Sequence, residues 1–103
     1  MWVIVLRGEH DLSTAADLKR SLLPTFLLGV DVVVDLSEIA FMDSTVLSVL
    51  VHASAEAASR QHAFAVVASP KLAPSRLLAV TGIDKRLRIY QTRADAFTGL
   101  RTS

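Results

Sequence analysis

Asp43, Ser44 and Thr45 stand in a row between two of the most apolar runs in the chain, "VVVDLSEIAFM" and "VLSVLVHASA". Such a trio can do three things. A serine can act as a nucleophile, a hydroxyl can accept a phosphoryl group, or a side-chain oxygen can cap a helix. Nucleophilic catalysis needs an activating base and a context such as the GxSxG elbow, and Ser13, Ser44, Thr45 and Ser54 have no such surroundings. His10, His52 and His62 are scattered, and no pair shows the i, i+4 spacing of a helical zinc site. Without cysteine, thiolate ligands and disulfides are excluded. No glycine-rich run of the GxxxxGK[ST] or GxGxxG kind exists to cradle a phosphate. These absences argue for a protein that is not an enzyme and needs no cofactor or metal. The expected role of Ser44 is an N-cap, worth about 1 kcal/mol. A phosphate there would add roughly −1.5 to −2 charges, at a helix end whose dipole favours negative charge. The fold would survive it, and the effect would fall on a partner.

The elements that position this trio follow from periodicity. "WVIVLRG" (residues 2–8) is rich in β-branched residues and stops at Gly8, which predicts a strand. In "LSTAADLKRSLLPTFLLG", Ala15, Leu18, Leu22 and Phe26 recur at helical spacing. Thr14 with Asp17 predicts the capping box, Pro24 a kink or an end to the regular helix, and Gly29 a stop. "VDVVVDL" (30–36) is apolar on both faces, as in a strand covered on both sides. A helix over residues 44–60 should bury Leu47, Leu50, Val51, Ser54 and Ala58, with Glu56 and Arg60 placed for an ion pair. "AFAVVAS" (63–69) predicts a third strand, residues 71–82 a short helix, "RLRIYQT" a last strand and "RADAFTGL" a closing helix.

Strands alternating with helices predict a single α/β domain over residues 1–103, with a mostly parallel sheet of about four strands and four helices. Half the residues are hydrophobic (51%), a fifth are charged (20%), and the net charge is +1. That balance excludes disorder. Eleven basic residues against ten acidic ones leave no electrostatic footprint for direct nucleic-acid binding. Lys85, Arg86, Arg88 and Arg93 read as a solvated strand flank. The first residues lack the pattern of a signal peptide, and no window reaches the roughly 18 apolar residues of a membrane span. A cytoplasmic location is the expectation.

Asp35 closes the central strand as the phosphate acceptor does in response-regulator receiver domains. The resemblance ends there. Glu9 and Asp11 are separated where receivers have an adjacent acidic pair, and no lysine closes the last strand, which ends "IYQTR".

A stronger resemblance covers almost the whole chain. "GEHDLSTAADLKRSL" followed by "VVVDLSEIAFMDSTVLSVL" resembles the STAS domain family, and within it the anti-anti-sigma factors, or anti-sigma factor antagonists. The rest, "AVVASPKLAPSRLLAVTGIDKRLRIYQTRADAF", is similar to that family's third strand, short helix, turn and final strand. The resemblance implies a bacterial transcription regulator that binds a kinase-type anti-sigma factor and so frees a sigma factor. That kinase would phosphorylate Ser44, with Thr45 as the alternative, and a phosphatase would reverse the switch. Gly8, Glu9, Phe41, Met42 and Asp43 match the family's motifs, and Asp11, Met42, Asp43, Ser44, Thr45 and Val46 are the expected partner contacts. A second implied role is a non-phosphorylated structural or regulatory subunit of a transporter or stressosome-like complex. Three departures stand out. Val46 occupies the family's glycine position, where a β-branched side chain would add bulk beside Ser44. His10 replaces a leucine. The strand that usually precedes the one at Trp2 is absent here: either the start is late, or one edge of the sheet is uncovered, which would favour pairing with another chain, and a monomer or weak homodimer is expected.

Overall fold

The computed structural model describes residues 1–71 and 73–101. Its elements run β1 (Trp2–His10), α1 (Leu12–Leu28), β2 (Val32–Met42), α2 (Ser44–Ser59), β3 (Phe64–Val67), α3 (Ala73–Thr81), a 3₁₀ turn (Ile83–Lys85), β4 (Arg88–Tyr90) and α4 (Arg93–Arg101). Four strands in the order β1-β2-β3-β4 form one sheet, and every pairing is parallel. The mixed sheet allowed for in the sequence expectation is thus wholly parallel among the described residues. Leu72, inside the expected helix over residues 71–82, lies outside them.

Sequential strand order explains the layering. Right-handed crossovers between neighbouring parallel strands place each intervening helix on one face. Accordingly α1, α2 and α3 bury Leu18, Leu22, Leu47, Leu50 and Leu78 against Val32, Val34 and Leu36 of β2. No strand follows α4 among the described residues. It closes the opposite face with Ala96 and Leu100 over Val33, Ala65 and Val67. The run Val32–Leu36 is buried on both faces, as its largely apolar character requires, with Asp35 its one polar residue. Each large side chain so buried contributes roughly 1.5–3 kcal/mol.

Several boundaries differ from the sequence expectation, each for a physical reason. β1 continues past Gly8 to His10 and β2 past Leu36 to Met42. Two register shifts, between Val5 and Arg7 and between Gly8 and Glu9, let the pair continue. Each gives β2 one residue more than β1. At the second shift Gly8 takes φ +75°, a conformation glycine enters without steric cost. Helix α1 runs through Pro24 to the left-handed Gly29 (φ 67°) rather than ending at the proline. Leu22 and Thr25, both buried, hold the chain on either side of it. The predicted capping box at Thr14 and Asp17 forms one turn earlier, at Asp11 and Thr14. In α2 the buried face is Val46, Leu47, Leu50, Ala53 and Ala57, while Val51 and Ser54 are half-buried and Ala58 is exposed. The Glu56–Arg60 ion pair forms as expected, Arg60 Nε to Glu56 Oε1 at 2.7 Å. The last strand shrinks to three residues.

Candidate functional site at two adjoining helix N-termini

The final pairs of the β1-β2 ladder are Glu9 with Phe41 and His10 with Met42. One residue further on, the Asp43 amide donates to the His10 carbonyl at 3.2 Å. The two strands therefore end together, and helices α1 and α2 start side by side. Asp11 caps the first and Asp43 the second.

Both caps are built alike. Asp11 Oδ1 accepts from the Ser13 amide (2.9 Å) and the Ser13 hydroxyl (2.6 Å). Thr14 Oγ1 accepts in return from the Asp11 amide (2.9 Å), which completes the box. The bond from the Ser13 hydroxyl, with that from its amide, holds the Asp11 carboxyl below the usual range. Asp43 Oδ1 accepts from the amides of Thr45 (3.0 Å) and Val46 (3.4 Å), and from the Thr45 hydroxyl. The sequence expectation put the cap at Ser44. It belongs to Asp43, because strand pairing holds Asp43 in the extended conformation (φ −103°, ψ −179°) that an N-cap takes.

That shift changes what Ser44 can do. As the first helical residue it is exposed, and its hydroxyl has no hydrogen-bond partner among the described residues. Thr45 is half-buried, and its hydroxyl is committed to Asp43. Of the two adjacent hydroxyls, only that of Ser44 is free.

Two expected contact residues turn inward. Val46 is fully buried (0% exposed) and Met42 nearly so (5%). Val46 lies two residues beyond Ser44, about 200° around the helix, so its side chain enters the core. The bulk expected beside Ser44 is under the helix instead, and neither Val46 nor Met42 offers its side chain to a partner. Two apolar residues that were not among the expected contacts are exposed beside the caps: Leu12 (72%) after Asp11 and Phe41 (53%) two residues before Asp43. Phe41 could have been found from the strand itself, since it alternates with the buried Met42. His10 stands between the two strand ends, its Nε2 within 3.0 Å of the Arg7 carbonyl and its buried Nδ1 without a partner.

Asp35 is a structural anchor. Its carboxylate is buried (2% exposed), accepts from the Ser37 amide at 2.8 Å, and meets Arg93 Nε at 2.5 Å. Burial alone would raise its pKa, but the bonds from Ser37 and Arg93 outweigh it and hold the carboxyl below its ordinary value. Arg93 opens α4, so the pair fastens that helix to the central strand. The Asp35 carboxylate is thereby occupied.

Comparison with known proteins identifies the family and the fold. The family model described as Mlab, STAS domain, matches residues 2–90. The anti-sigma-F factor antagonist RsfB of Mycobacterium tuberculosis is 35% identical over 105 aligned positions, covering 96% of this chain and 80% of RsfB. An anti-sigma factor antagonist from Mycobacterium paratuberculosis superposes with a TM-score of 0.81 at 30% identity, over 96% of this chain and 84% of that one. SpoIIAA, an anti-sigma factor antagonist solved in its unphosphorylated form, shares the fold at a TM-score of 0.74 and 18% identity, over 96% and 87% of the two chains. With its parallel sheet and a family match over most of its length, the chain belongs to the STAS domain family.

Proposed function

We propose that this STAS domain is an anti-sigma factor antagonist, a binding module that captures a kinase-type anti-sigma factor and thereby frees a sigma factor for transcription. The relatives named above are called anti-sigma factor antagonists, which supports the first part of that reading. In this reading the docking surface is the pair of helix N-termini, with Asp11 and Asp43 as its charged groups and Ser44, next to Asp43, as the switch. Leu12 and Phe41 supply apolar contact. The observation that carries the reading is the free, exposed hydroxyl of Ser44 beside the committed hydroxyl of Thr45.

Phosphorylation of Ser44 transfers the γ-phosphoryl group of ATP to its oxygen, with the hydroxyl proton leaving and ADP released. The product adds roughly −1.5 to −2 charges to a surface that already holds two aspartates. The α2 dipole favours that charge, so the domain stays folded and the partner is repelled. A phosphatase resets the switch. Hindrance of Ser44 by Val46 would favour the alternative role, a fixed subunit of a transporter or stressosome-like complex, because a shielded serine is no switch. That support goes with the burial of Val46.

The test is to mix the protein with the kinase-type anti-sigma factor of the same host, with and without ATP and magnesium. A complex with the unmodified protein, lost on phosphorylation and absent with Ser44→Glu, is the expected result. No complex in any state would overturn the reading.

A further inference from the structure

A second site lies on the side of the same helix pair. Between α1 and α2 runs an open groove of about 450 Å³, within the range of roughly 300–1,000 Å³ usual for small-molecule sites. Its floor and walls are apolar, from Leu22, Leu23, Phe26, Val49 and Ala53. Leu22 and Ala53 close the bottom, whereas Leu23 stands 55% exposed on the wall. Three cations, Lys19, Arg20 and Arg60, line it against a single carboxylate, Glu56. Arg20 is paired with Asp17 and Arg60 with Glu56, which leaves Lys19 without a carboxylate partner among the described residues.

We infer that this groove binds a free fatty acid, its acyl chain along the apolar floor and its carboxylate at the cationic rim. Charge and size together select that class. A net positive rim over an apolar trough complements an anionic head on an apolar tail. From Ser48 to Arg60 the groove follows about 18 Å of helix axis. A single extended acyl chain can lie along that length within the groove's volume. The site begins one turn beyond Ser44, at Ser48, and stands independently of the switch proposed for Ser44.

Dodecanoate, kept below its micelle-forming concentration, is the probe, titrated into the full chain by calorimetry and by amide chemical shifts. Saturable binding with shifts confined to α1 and α2 is expected. Leu23→Glu puts a carboxylate on an exposed wall position and should weaken binding about tenfold or more. Lys19→Gln should weaken it less, and Val80→Glu, at an exposed site off the groove (79%), should leave it unchanged. Equal affinity for uncharged dodecanol, or an unaltered affinity in Leu23→Glu, would overturn the inference. So would binding seen only with anionic phospholipid vesicles, or with an acidic helical peptide that dodecanoate cannot displace.

Discussion

Helices α1 and α2 begin with the same device and diverge within one turn. In both, an aspartate on extended backbone accepts from the amide and the hydroxyl of the residue two positions on, Ser13 in one and Thr45 in the other. The positions around that shared contact differ. The first helical residue is the exposed Leu12 in α1 and the exposed Ser44 in α2. The third is Thr14, which returns a hydrogen bond to its cap, against Val46, which enters the core. The α1 turn is thus closed on itself by reciprocal bonds. The α2 turn is held from below by packing, and its upper side keeps one uncommitted hydroxyl. A helix start anchored by the core can carry a group that does nothing for stability, and such a group is available for a switch.

The largest effect should come from removing the anchor. Val46→Gly deletes a fully buried side chain and adds a helix penalty, for a loss of about 3 kcal/mol, read as a lower urea midpoint. Measured well below that midpoint, the rate of Ser44 phosphorylation by the partner kinase should stay at the wild-type value. A marked acceleration would mean that Val46 does shield the serine. Next comes Asp43→Ala, which strips Thr45 and Val46 of their amide acceptor and should cost about 1–2 kcal/mol. Asp11→Ala should cost less, because Asp11 is exposed and the Thr14 hydroxyl still accepts from the amide of residue 11. Equal losses at the two caps would remove the asymmetry.

Acid should sharpen the same contrast. The Asp11 carboxyl titrates below the ordinary aspartate value of about 3.9, chiefly because Ser13 donates to it. A folded pKa below the unfolded one adds stability above the unfolded pKa, and that stability disappears as pH falls through the folded value. The difference between wild type and Asp11→Ala should therefore be constant near neutrality and shrink below about pH 4. Asp35, held low by Ser37 and Arg93 against its burial, loses its contribution in the same window. The measurement is better made in an Asp35→Asn background, where that contribution is gone.

Much of the architecture was legible in the residues. Alternating strand and helix periods, the buried run at Val32–Leu36 and the Gly29 stop all carry local signals that the fold obeys. The errors cluster where several local choices are nearly equal. Asp43, Ser44 and Thr45 are all good caps, and a tertiary contact, Asp43 to the His10 carbonyl, selects the first. Between Val46 and Ala58 nearly every residue is apolar or small, so periodicity left the rotation of α2 open. The inward turn of Val46 follows from that rotation and could not be read without it. Asp35 and Arg93, 58 residues apart, become partners only once α4 crosses to the second face of the sheet.

The smallest effect on stability belongs to the residue with the largest proposed role. Ser44→Ala removes an exposed hydroxyl with no partner and should change stability by less than about 0.5 kcal/mol. It should nonetheless abolish phosphate incorporation. Thr45→Ala should do the reverse, losing the hydroxyl that Asp43 holds, at a cost of about 1 kcal/mol, while incorporation continues at Ser44. Peptide mapping by mass spectrometry after reaction with the kinase separates the two outcomes. Phosphate on Thr45 of the wild-type protein would require Asp43 to release a hydroxyl that it now holds. The α2 turn would then be no more open than that of α1, and the contrast between the two helix starts would no longer explain the switch.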